Sequence, residues 1–96
     1  MVSLATLRGA NKVVMFSWVT CPYCNRAEKL LQPMTTDLKI HYVDKMGEGE
    51  ALREEIRKLY QHETVPAIFI NGEFVGGCSD VEALDREGKL SAMLGK

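Results

Sequence analysis

Apolar and polar positions change period several times along the chain. Lys12 to Ser17 (Lys-Val-Val-Met-Phe-Ser) is a β-rich apolar run, short enough for a strand buried on both faces. Ala27, Leu30, Leu31 and Met34 follow at i, i+3, i+4 and i+7, one face of a helix. Pro22 suits the first turn of that helix, because its missing N–H would have no partner there anyway. The helix is expected to begin at Pro22 with Cys21 as N-cap, and to bend or end at Pro33. Cys24 lies three residues before Ala27 and seven before Leu31, so it leans toward the buried face. Ile40 to Val43 reads as a second strand, and Gly47 and Gly49 mark a loop. Leu52, Ile56, Leu59 and Tyr60 give a second amphipathic helix over 48–61. Ala67 to Ile70 is a third strand. Asn71-Gly72 then signals a two-residue hairpin into a fourth strand near Glu73 to Val75, which Gly76-Gly77 breaks. Ser79-Asp80-Val81-Glu82 has the form of a capping box, with Ser79 as cap and Glu82 closing it. Leu84, Leu90, Met93 and Leu94 supply the buried faces of the last helices, with Gly88 between them. A short helix is expected over 3–9.

This order is helix, β, α, β, α, β, β, α. Two strands joined through a helix should pair in parallel with a right-handed crossover, and the last two form an antiparallel hairpin. The expectation is one α/β domain over 1–96, with a mixed four-stranded sheet and helices on both faces.

A length of 96 residues fits one domain. The apolar fraction of 46% and charged fraction of 26% describe a soluble globule and exclude disordered, collagen-like and low-complexity chains. Apolar stretches such as Val13-Val14-Met15-Phe16 fall far short of the ~20 residues of a membrane span. A net charge of −1 argues against nucleic-acid binding. The charge is uneven: residues 1–47 carry six basic and three acidic side chains, residues 48–96 six and ten. No acid precedes Glu28, so Cys21 and Cys24 sit in a sequence neighbourhood suited to an anion or a thiolate. Three cysteines are too few, and odd, for a secreted disulfide framework. The first ten residues lack the apolar core of a signal peptide, so a reducing, cytoplasmic setting is expected.

Cys21-Pro22-Tyr23-Cys24 is the most informative segment. Cysteines at i and i+3 across a helix start are close enough to form a disulfide. The unpaired N–H groups and positive end of the helix dipole favour the thiolate of the outer sulfur, Cys21. Cys24, one turn in, is the better resolving thiol. The same spacing is also half of a zinc site, but only Cys78, His41 and His62 remain as further soft ligands, at scattered positions. No metal is expected.

Strand, Cys21-Pro22-Tyr23-Cys24, Thr64-Val65-Pro66 and Gly76-Gly77-Cys78-Ser79-Asp80, in that order, resemble a dithiol glutaredoxin over residues 10–95. The resemblance implies a thioredoxin-like fold, glutathione or a related low-molecular thiol such as bis-glutathionyl spermidine as co-substrate, and a cis Pro66. It implies that the Val65 backbone lies opposite Cys21, open to pairing with a peptide-like ligand. The helix start at Ser79-Asp80 suits the γ-glutamyl carboxylate, and Asp80 the ligand amine. Arg53 matches the place where the family puts a Gln or Arg for the glycyl carboxylate. Tyr23, Thr64, Gly77 and Cys78 complete the expected groove, with Cys78 read as a small buried residue. One position departs: three residues before the first cysteine the family usually has Lys, and here Trp18 stands there. That shifts the cationic role toward Arg53, Arg26 and the helix dipole. His41 and His62 read as ordinary surface or strand-end residues.

The function so implied is glutathione-dependent reduction of protein disulfides and glutathione mixed disulfides, by a monomer without a permanently bound cofactor. The partners are glutathionylated and disulfide-containing proteins. Two alternatives stand beside it. One is a dimer bridging a [2Fe–2S] cluster through Cys21 and two glutathiones. The other is a thioredoxin-type protein reduced by a flavoenzyme and indifferent to glutathione.

Overall fold

The structure is a computed structural model that describes residues 3–95. Its helices are α1 (Leu4–Leu7), α2 (Pro22–Leu31), α3 (Gly49–Tyr60), α4 (Cys78–Arg86) and α5 (Lys89–Met93). Its strands are β1 (Val13–Ser17), β2 (Leu38–Tyr42), β3 (Ala67–Ile70) and β4 (Glu73–Gly76). They form one mixed sheet in the order β2-β1-β3-β4. β1 runs parallel to β2, Val13 opposite Leu38 and Ser17 opposite Tyr42. It runs antiparallel to β3, Val13 opposite Ile70 and Phe16 opposite Ala67. This is the thioredoxin-like arrangement expected from the sequence.

The period of two along β1 and β3 divides the core into two layers. Val13, Met15, Ile68 and Ile70 face α2, α4 and α5 through Ala27, Leu31, Val81 and Leu90. Val14, Phe16, Ala67 and Phe69 face the opposite layer, where α1 and α3 contribute Leu4, Leu52 and Ile56. β1 is therefore buried on both faces, which is why it reads as an unbroken apolar run rather than an alternating one. The hairpin signal holds: Asn71 and Gly72 both take positive φ, 54° and 82°, as a twisted two-residue turn requires.

Several boundaries shift by a residue or two, β2 starting at Leu38 rather than Ile40 and the first helix spanning only Leu4–Leu7, and two of the shifts bear on the site. β2 ends at Tyr42, and Val43–Lys45 forms a 3₁₀ turn. α3 begins against that turn: a Cβ on Gly49 would stand 1.8 Å from the Val43 carbonyl oxygen, so only glycine lets the helix start there. The second shift concerns α4. Ser79 is not its cap; the helix starts at Cys78 with Gly77 as N-cap. The Asp80 carboxylate accepts the Gly77 N–H at 2.8 Å. Glu82, expected to close a box with Ser79, instead pairs with Arg26 at 2.7 Å. Tertiary contacts decide this: Gly76 leaves β4 at φ 134°, and a Cβ on it would lie 2.2 Å from Asp80 Oδ2. The chain turns into the helix two residues early because Asp80 fits over a bare glycine.

Candidate active site

β1 delivers the chain into the loop Trp18–Thr20, and α2 starts immediately behind it. Cys21 is the N-cap, in extended conformation, and its Sγ accepts the Cys24 N–H at 3.3 Å. The sulfur thus satisfies one of the orphan donors of the helix start, a role that an anionic acceptor fills better than a neutral one. Cys21 keeps 8% of its surface open, and Cys24 none. The loop is fixed from below, where Val19 N–H reaches both Asp44 carboxylate oxygens at 3.3 Å.

The two thiols are electrostatically unequal. Burial, and then its hydrogen bond with Cys21, push the Cys24 thiol up to about 11. Contacts with the Trp18 backbone and the Ser17 hydroxyl pull the other way and only partly offset this. Ser17 Oγ is fully buried beside Cys24 and has no other polar partner among the described residues. Folding therefore favours Cys24 as a neutral thiol. That contribution is complete below the free-thiol value of 9.0 and is lost as pH rises toward about 11. We expect the denaturant midpoint of the wild type to fall more steeply than that of Cys24→Ser between pH 9 and 11. Parallel slopes in paired urea titrations would contradict it.

Opposite the thiol, the Val65–Pro66 peptide bond is cis and the Val65 carbonyl oxygen lies 3.8 Å from Cys21 Sγ. From there a groove of about 370 Å³ runs along Thr64, Val65 and Pro66 to Gly77, Cys78, Ser79 and Asp80. Tyr23, 60% exposed, forms its outer wall. At the far end lies the start of α4, whose first-turn N–H groups have no partner within the helix. On the other side of Cys21 a second cleft, about 330 Å³, lies between Trp18, Pro22, Arg53, Thr64 and Val65. Cys21 stands between a groove of mixed polarity and a largely apolar cleft.

The fold thus gathers Tyr23, Thr64, Val65, Pro66, Gly77, Cys78, Ser79 and Asp80 along one groove and sets Arg53 across from it. Cys78 is buried, and burial, then the nearby Glu82, raises its thiol. Arg26 is not free for the thiolate: its guanidinium donates to both Glu82 oxygens and lies 5.5 Å from the Tyr23 ring centre. His62 departs from its expected surface role. It lines the groove, its Nε2 is 3.1 Å from the Pro66 carbonyl oxygen, and its ring packs edge-on against Phe74. The cause is Gln61, which ends α3 in the left-handed region (φ 57°) and turns the chain inward. No glycine announced that turn. His41, by contrast, stacks on Phe16 away from the groove. Neither histidine gathers with the cysteines into a metal-binding group among the described residues.

A thioredoxin-like sheet that holds one capped, slightly open thiol over a second, buried one defines a thiol–disulfide exchange site. The family model for glutaredoxin matches residues 13–75. The dithiolic glutaredoxin 2-C-Grx1 of Trypanosoma brucei brucei is 68% identical, with a TM-score of 0.92 over 98% of this chain and 97% of that one. The buckwheat glutaredoxin–glutathione complex superposes with a TM-score of 0.91 at 33% identity, covering 95% of this chain and 83% of that one. Human mitochondrial glutaredoxin-2 is 40% identical over 83% of this chain and 49% of its own length. The chain spans about half the length of the mitochondrial glutaredoxin-2 relatives that it matches. This chain belongs to the glutaredoxin family.

Proposed function

We propose that the chain is a glutathione-dependent thiol–disulfide oxidoreductase acting on glutathione mixed disulfides and protein disulfides. One observation carries the reading above the others: Cys21 Sγ, capped by the Cys24 N–H, lies 3.8 Å from the carbonyl oxygen of Val65, which lines a peptide-sized groove. Family membership and the glutathione-bound buckwheat relative support it.

The chemistry follows from the inequality of the thiols. The Cys21 thiolate attacks the glutathione sulfur of a mixed disulfide, and the protein thiolate leaves and takes up a proton. A second glutathione thiolate attacks the Cys21–glutathione bond, releasing glutathione disulfide and restoring Cys21. In the groove, Val65 offers its backbone to the ligand's peptide bonds. The α4 start takes the γ-glutamyl carboxylate, Asp80 the amine, and Arg53 the glycyl carboxylate. For a protein disulfide, Cys24 attacks the Cys21 mixed disulfide and closes an internal bond, which two glutathiones then reduce. Burial disfavours the Cys24 thiolate, which slows that resolving step.

A [2Fe–2S] cluster held between two copies would find one accessible thiol per chain, Cys21, and would take its other ligands from glutathione. A cluster would show as brown colour in protein purified anaerobically.

The test is turnover of a glutathione mixed disulfide by Cys24→Ser with glutathione as reductant. We expect most of the activity to persist. A folded but inactive variant would show that the dithiol is obligatory and that the one-thiol route is wrong here. Reduction of the wild-type internal disulfide by glutathione alone separates this function from a flavoenzyme-dependent thioredoxin type.

A further inference from the structure

The cleft on the Trp18 side of Cys21 contains a contact that the exchange chemistry does not by itself require. The Arg53 guanidinium lies 4.8 Å from the centre of the Trp18 ring, within cation–π range. Its Nη2 donates to the Glu63 carbonyl oxygen at 3.2 Å. Asp44 and Glu50 line the next cleft, yet Arg53 makes no ion pair among the described residues. Trp18 itself is 37% exposed, and its loop is pinned through Val19 to Asp44. A long cationic side chain from α3 is thus held over a fixed aromatic face with its charge unspent.

We propose that Trp18 is a positioning residue for substrate binding: it holds the Arg53 guanidinium beside Cys21, ready for a carboxylate of the low-molecular thiol. This rests on the glutathione reading above and adds how the cation is aimed. A cation–π contact is made through the guanidinium's face, whereas its N–H donors lie in its own plane, so those that the Glu63 carbonyl does not engage stay available to a carboxylate. A free arginine would lose rotamer freedom on binding a ligand; one already stacked has lost part of it beforehand. The aromatic at position 18 therefore supplies no charge of its own. It places the one that α3 supplies.

The test is steady-state kinetics of the full chain with a glutathione mixed disulfide as varied substrate, in Trp18→Ala, Trp18→Phe, Arg53→Ala and the Trp18→Ala/Arg53→Ala double variant. The expected result is a KM about two- to fivefold higher in Trp18→Ala, the scale of an exposed cation–π contact, with kcat unchanged. Trp18→Phe restores most of the loss, and the double variant is no worse than Arg53→Ala alone. Trp18 is the only tryptophan, so its emission reports the stack directly and should shift in Arg53→Ala at an unchanged melting temperature. A Trp18→Ala penalty of the same size in the Arg53→Ala background overturns the proposal, because Trp18 would then touch the substrate itself. An unchanged KM in Trp18→Ala, or an unshifted emission in Arg53→Ala, overturns it too. A wild-type KM in Arg53→Ala instead strikes the assignment of the glycyl carboxylate to Arg53, and is distinguishable on that account.

Discussion

Replacing Cys21 by serine is expected to lower turnover of glutathione mixed disulfides at least about a thousandfold, the scale on which loss of a covalent nucleophile is felt. A hydroxyl is essentially un-ionised at neutral pH and does not attack disulfide sulfur. The same substitution should leave the fold alone, because of where Cys21 sits. It is the N-cap of α2, and its sulfur accepts the Cys24 N–H. Serine is among the best residues at that position, so the oxygen takes over the hydrogen bond. Melting temperature and circular dichroism should stay at wild-type values while activity vanishes. Cys24 does not rescue the variant, since its thiol is closed to solvent and burial disfavours its thiolate. Substantial residual turnover in Cys21→Ser, after exclusion of contaminating wild type, would move the nucleophile elsewhere, and Cys78 at the groove would be examined next.

The second large effect is on stability. Phe69→Ala should cost about 3–5 kcal/mol, the range for removing a fully buried aromatic side chain. Phe69 has no exposed surface and meets Phe16, Tyr60 and Phe74 edge-on at ring-centre distances of 5.8, 5.5 and 5.3 Å. Each of those neighbours comes from a different element, β1, α3 and β4, so the void has no single flexible wall to close it. Against a total stability of roughly 5–15 kcal/mol this is a large fraction. It corresponds to a fall in melting temperature of about 15–35 °C for a domain of this size. The loss reaches the site as well, because β3 begins directly after Thr64-Val65-Pro66. Scanning calorimetry decides it: a drop under about 5 °C would mean that the aromatic cluster is not where the α3 layer gets its stability. Phe69→Leu, which keeps most of the volume, should fall well between.

Much of this protein is legible along the chain because its signals are local. An apolar run marks β1, a 3.6-residue period marks α2 and α3, and Asn71-Gly72 marks the hairpin. The dithiol motif is equally local, since a helix start places residues three apart on one turn and makes the first of them the cap. Those features depend only on backbone geometry and on which neighbours share a face. Other features required the folded sheet. The cap of α4 moved from Ser79 to Gly77 because Asp80 packs over Gly76. His62 entered the groove because Gln61 turned left-handed without a glycine to signal it. Arg26 was taken by Glu82, from a helix far along the chain, and Arg53 was laid over Trp18. No spacing rule encodes these pairings. They exist because the order β2-β1-β3-β4 brings the end of β1, the start of α4 and one side of α3 to the same end of the sheet, where charge and shape choose partners by distance rather than by sequence.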